Sequence, residues 1–368
     1  MEFNIGKSNS SDARQCVEEA TAKLKDPKLI LFFSPMEHFD EYAKLLHEKY
    51  PDRITMGVTS IATFNRNGVA KNALQVMGVE KGLRCSADIL EDIDKYPIRY
   101  AERVKRCVDH VRAFKNTICL EFTTSNHCAE ESVLSTLNSV LLEKNIPVFG
   151  GTAGNDASGT EKDTKVALNG VVKNNGCVFV IMHSESGPIH IYKENIYTPL
   201  NGNILTVTKA DGRNRRVMEY NKEPAAKVIA RELGISENEI ATHLGTNPVG
   251  RLIGDQLYVT ANNRRDGTDM LYHARMNIGT RVMVMKLDDY KKIIEETKVK
   301  IQKEVPKPKF SIMCNCLSRT MLFERTGYLE EYGRQMGTVL GDYVGFSGYG
   351  EQRGEQHFNQ TMIVAVFE

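Results

Sequence analysis

Short, largely apolar runs recur through the first half of the chain: Leu29-Ile-Leu-Phe-Phe33, Arg53 to Val58, Ile118-Cys-Leu-Glu-Phe122 and Ile146 to Phe149. A strand with no polar face must be covered on both sides. The segments between the runs supply the covers. Ala13, Val17, Ala20 and Leu24 fall at helical spacing, as do Phe39, Tyr42 and Leu46. The same spacing returns in Ala101, Val104, Val108 and Val111, and again in Val133, Leu134, Leu137, Val140 and Leu141. Strand–helix alternation of this kind limits the fold to an α/β arrangement with helices packed on sheet faces. Glu2 to Gly6 reads as an opening strand, Ser10 or Ser11 is placed to cap the first helix, and Pro51 ends the second.

The second half changes style. Asn67-Gly68 and Asn175-Gly176 each sit between β-like runs, and the second predicts a hairpin over Val171 to Ile181. Ile204 to Thr208 and Val217 to Tyr220 flank a polar turn. Leu257 to Thr260, Met270 to Arg275 and Arg281 to Leu287 read as three antiparallel strands, and Ser236 with Glu239 as a capping box. A helix stripe from Tyr290 to Ile301 precedes a strand at Phe310 to Cys316, a helix near Tyr328 to Val339 and a closing hairpin. A chain of 368 residues exceeds one ordinary core. The expectation is a mixed α/β (α+β) protein of two α/β domains, residues 1–220 and 221–368. Mixed sheets flanked by helices form each domain, with a ligand pocket at their junction.

The turn of the closing hairpin holds the densest polar stretch, Gly345-Phe-Ser-Gly-Tyr-Gly-Glu-Gln-Arg-Gly-Glu-Gln-His-Phe-Asn-Gln-Thr361. Glycines at this density permit positive φ and close approach of a ligand or another chain. The stretch misses both G-x-G-x-x-G, with Arg353 at the last position, and G-x-S-x-G. Loops after Val58, Phe122 and Phe149 follow strand ends, where α/β sheets bind ligands. They contribute Thr59, Ser60, Asn126, Gly151 and Asp156 as candidate walls.

Bulk properties exclude several classes. A net charge of +1 gives no basic surface for nucleic acid or anionic lipid. No apolar run reaches the roughly 20 residues of a membrane helix, and Met-Glu-Phe-Asn-Ile lacks the pattern of a secretory signal. The eight cysteines are scattered, which predicts free thiols in a reducing cytoplasm.

Over nearly its whole length the chain resembles the FIST family (F-box and intracellular signal transduction), sensory proteins of bacterial type. The first FIST domain is similar at Leu29 to Ser34, Gly57-Val-Thr-Ser-Ile-Ala62 and Val148-Phe-Gly-Gly-Thr-Ala-Gly-Asn-Asp156. The second is similar at Leu205 to Thr208, Tyr220 to Ala226, Cys314 to Arg319, Gly345 to Glu351 and His357 to Thr361. Ala62-Thr63 stands where the family usually has a Gly-Glu pair, so no role passes to that glutamate. The resemblance implies a non-enzymatic sensor of an amino acid or similar metabolite. It would signal through a separate histidine kinase, chemoreceptor or cyclic-dinucleotide enzyme.

Glu351 is placed to accept from a ligand amine, and Asn359 to hold its carboxylate or amide. Tyr349 and His357 are further candidates. The alternative is a turn whose polar groups satisfy their own backbone. Arg319 suits a bidentate carboxylate clamp, or an ion pair with a neighbouring acid. Cys314 and Cys316 share a strand face, without further zinc ligands at sensible spacing. An exposed thiol beside Arg319 would have a lowered pKa, which keeps open a redox sensor or cysteine-dependent enzyme. Some relatives are haem proteins that sense nitric oxide. Haem is the alternative cofactor here, with His127, His183, His190, His243 and His273 equally eligible as ligands. No catalytic set and no metal site is expected.

Overall fold

The Leu29–Ser34 strand is buried at every position, as a two-sided apolar run requires. The computed structural model that places it describes residues 1–155 and 163–368. Met1–Lys193, Lys298–Glu355 and Met362–Glu368 make one compact unit, and Glu194–Thr297 with Gln356–Thr361 make a second. The fold is α/β, built on mixed sheets flanked by helices.

In the first unit, Leu29–Ser34 pairs in parallel with Ile54–Thr59 and antiparallel with Leu74–Lys81. Helices Ala13–Thr21 and Phe39–Lys49 cover this sheet, burying Cys16, Val17 and Leu46 against Ile30 and Phe32. Asp12 caps the first helix, accepting from the Gln15 N–H at 2.7 Å. Ser10 and Ser11 do not cap it; Ser10 Oγ accepts from the Asp12 N–H at 3.3 Å, two residues ahead of the cap.

A second sheet runs Gly350–Arg353, Val148–Thr152, Thr117–Thr123, Gly176–Ser184, Leu83–Glu91. Helices Ala101–Val111 and Glu130–Leu141 cover it, with Val104, Val108, Leu134 and Leu137 in the shared core. Its other face meets the first sheet. Phe122 and Phe33 both pack on Phe346, with ring centroids 5.2 and 5.5 Å away.

The Asn67-Gly68 hairpin forms, pairing Thr63–Asn65 with Gly68–Ala70. Two other expected hairpins do not. Val171–Lys173 pairs with Val166–Leu168, whereas Gly176–Ser184 pairs with Leu83–Glu91 and Thr117–Thr123. Asn175-Gly176 therefore passes the chain between sheets. The longer strand is buried almost throughout and needs partners on both edges, which the short half-buried run cannot supply. At the C-terminus, Phe310–Cys316 lies between Asp342–Gly348, to which it is parallel, and Thr361–Phe367, to which it is antiparallel. It thus separates the two arms of the expected closing hairpin. The parallel pair requires the helical crossover through Leu317–Arg325 and Leu329–Leu340.

The second unit is one antiparallel sheet against the helix Ala225–Leu233. Leu205–Asp211 pairs with Arg216–Tyr220, and Val249–Ile253 lies between Gln256–Thr260 and Arg281–Leu287. Val207, Val217, Tyr220, Ile229, Met270 and Tyr272 form its core. The Ser236–Glu239 capping box is present.

Candidate functional site

Three strand ends of the first unit are tied together by backbone hydrogen bonds. The Gly154 N–H donates to Thr59 O and the Ala153 N–H to Thr123 O, both at 2.8 Å. The glycine-rich segment joins them. The Ile61 N–H donates to Ser347 O at 3.2 Å, the Ser347 N–H donates to Ser60 Oγ at 2.9 Å, and Glu351 stands opposite Gly151 in register. This approach depends on missing side chains. A Cβ at Gly348 would lie 2.0 Å from Thr152 O, and one at Gly151 2.2 Å from Cys314 Sγ. Both glycines serve chain-to-chain packing.

The side chains at this edge are occupied in holding it. Thr59 Oγ1 accepts from the Lys165 N–H at 3.1 Å, and Asn126 Oδ1 accepts from Thr164 Oγ1 at 2.9 Å. Ser60 Oγ donates to Ala62 O at 2.7 Å, and Tyr349 OH to Asn155 O at 3.0 Å. Thr320 Oγ1 and Ser347 Oγ are 2.8 Å apart, and Asn315 Nδ2 donates to Thr320 Oγ1 at 2.8 Å. Next to Thr320 in sequence, Arg319 is buried with its guanidinium over the Phe323 and Tyr332 rings, 5.0 and 5.3 Å from their centroids. Glu351 is fully buried.

Thr59, Ser60, Asn126, Gly151, Arg319, Tyr349 and Glu351 thus belong to the first unit, and His357 and Asn359 to the second. There His357 Nε2 lies 3.1 Å from His273 O, and Asn359 Oδ1 accepts from the Ala261 N–H at 3.2 Å. Asp156 lies outside the described residues. The expected lowering of a thiol pKa beside Arg319 does not hold for Cys314. Burial pushes that thiol well above its ordinary range, and the nearby Glu351 carboxyl adds to the effect.

Sequence reasoning passed over Glu121. This carboxyl is fully buried on the helix-facing side of its sheet, where Oε2 accepts from Thr123 Oγ1 at 2.5 Å. Oε1 meets no hydrogen-bond donor among the described residues. Burial raises its pKa to about 8. The signal was a lone acid inside an apolar strand run. Nearby, Gln352 Nε2 donates to Thr152 Oγ1 at 2.8 Å, which in turn lies 3.4 Å from Glu130 Oε1.

His183, His190 and His243 each hold a hydrogen bond, to Thr117, Glu368 and Asn247 respectively. Among the described residues no group of three or more His, Cys, Asp or Glu is placed to hold a metal ion. No helix among them is long and apolar enough to cross a membrane.

This is an α/β protein in two parts, with strand ends and a glycine-rich segment gathered at one edge of the first. The chain belongs to the FIST family: the FIST N domain matches residues 28–223 and the FIST C domain residues 225–353. FIST domains are associated with signal transduction and small-ligand sensing. No curated protein matches the chain. Among solved structures, one of PurLQS from Thermotoga maritima aligns over 99% of this chain and 71% of that one, at 9% identity and a TM-score of 0.21. A likeness at that score carries no argument.

Proposed function

We propose that this protein is a non-enzymatic, cytoplasmic sensor of an amino acid or similar metabolite, signalling through a separate protein. Histidine kinases, chemoreceptors and cyclic-dinucleotide enzymes are the partner classes. The observation that supports it is the convergence of the Thr59, Thr123 and Thr152 strand ends with the Gly345–Glu351 segment. Buried Glu351 at this edge is the group assigned to a ligand amine, which a carboxyl oxygen can accept from. From Arg353 the chain runs directly into Gln356–Thr361, which belongs to the second unit. A ligand that shifts the Gly350–Arg353 strand would therefore act on that segment through the backbone.

Thermal-shift screening of amino acids tests the reading, because a ligand specific for the folded state raises the melting temperature. The expected result is a hit whose binding, measured by calorimetry, is lost in Glu351→Ala while the variant still folds. Unchanged affinity in Glu351→Ala overturns the site.

A further inference from the structure

Three side-chain oxygens in the second unit are buried and meet no hydrogen-bond partner among the described residues: Thr260 Oγ1, Asn262 Oδ1 and Gln360 Oε1. Their residues are 0%, 7% and 1% exposed. They come from separate segments that the hydrogen bonds draw together. Thr260 stands opposite Val249 in register. Asn262 Nδ2 donates to Asn247 O at 2.8 Å, and Gln360 Nε2 donates to Gly245 O at 3.2 Å. Asn359 holds Gln360 alongside, since its N–H donates to Val259 O at 2.9 Å and its Oδ1 accepts from the Ala261 N–H. The three residues therefore lie around the segment Gly245–Val249.

The set is rich in acceptors. Each amide NH2 group donates to a backbone carbonyl, which fixes the oxygens as the ends turned away from those carbonyls. The Thr260 hydroxyl adds two lone pairs and one rotatable O–H donor. A buried acceptor without a donor is unfavourable, and three together are rare in a folded chain. A group that fits must bring several donors. A primary ammonium brings three N–H donors and nothing else. Neutral oxygens without carboxylates suit a single positive charge better than a divalent ion. Arg251, the cation on the neighbouring strand, is turned to the carbonyls of Arg275 and His357.

We propose that Thr260, Asn262 and Gln360 form a subsite for the primary ammonium group of a small molecule. It belongs to the second unit alone and does not depend on the strand-end site of the first.

Methylammonium chloride is the probe and tetramethylammonium chloride, which has no N–H, the control. In the full chain, methylammonium raises the melting temperature saturably and tetramethylammonium does not. Thr260→Val removes one orphan acceptor with little change of shape. It raises the melting temperature of the ligand-free protein by about 2 °C and weakens methylammonium binding about tenfold. Equal responses to the two ions, a lower melting temperature in ligand-free Thr260→Val, or unchanged methylammonium binding in that variant overturns the subsite. If the amino-acid hit from the screen keeps its affinity in Thr260→Val, the proposed sensing stands without this subsite.

Discussion

Ser60 and Ser347, 287 positions apart in the chain, share a hydrogen bond in which the Ser347 N–H donates to Ser60 Oγ at 2.9 Å. The same hydroxyl donates to Ala62 O. It fixes the loop after one strand to the end of another. Ser60→Ala leaves the Ser347 N–H with its second acceptor, Ala62 O at 2.9 Å. The expected loss is about 1 kcal/mol, read as a lower denaturation midpoint at unchanged slope.

Gly348→Ala should be far more severe. Its Cβ would meet the backbone oxygen of Thr152, which cannot swing aside. Destabilisation of about 3 kcal/mol is expected. Gly245→Ala is the control: its Cβ meets nothing within 4 Å, so the change should stay within about 0.5 kcal/mol. Equal effects from the two would show that close approach is not what the glycine provides.

Glu121 makes stability depend on pH. Its pKa rises on folding from 4.5 to about 8, so across that window the folded state holds more protons than the unfolded. The contribution of Glu121 to stability is full below about pH 4.5 and is lost as pH rises toward 8, by an amount on the order of a few kcal/mol. Glu121→Gln should flatten this slope in denaturant titrations at a series of pH values. An unchanged slope would show that the carboxyl is not the titrating group.

Thiol labelling separates Cys128 from Cys314. Cys128 is exposed and Cys314 buried, with the Cys314 thiol pKa pushed up. Brief iodoacetamide treatment of the folded protein should modify Cys128 and spare Cys314, as mass spectrometry would show. Rapid labelling of Cys314 would revive a reactive-cysteine function.

Local pattern carried much of the fold. Leu29–Ser34, Thr117–Thr123 and Phe310–Cys316 were legible because both-sided burial leaves no polar alternation. Leu74–Lys81 and Leu83–Glu91 were not recognised. The second is half-exposed along its middle, so its apolar signal is diluted. Sheet membership was not legible either, since the Asn175-Gly176 turn looks the same whether its strands pair or part. At the candidate site, the sequence picked out the loops that meet, but not Glu121 or the acceptors at Thr260, Asn262 and Gln360. Those depend on which atoms find partners in three dimensions.

The order of the segments has a consequence for biosynthesis. The first unit contains Met362–Glu368 and the second Gln356–Thr361, and Phe310–Cys316 takes Thr361–Phe367 as its neighbour. A ribosome delivers these residues after the other segments of both units. Neither unit can close while they remain in the exit tunnel, so the nascent chain must be kept from aggregating until then. For the same reason, cutting the gene at the family boundary near residue 224 would yield two fragments, each lacking part of its own sheet.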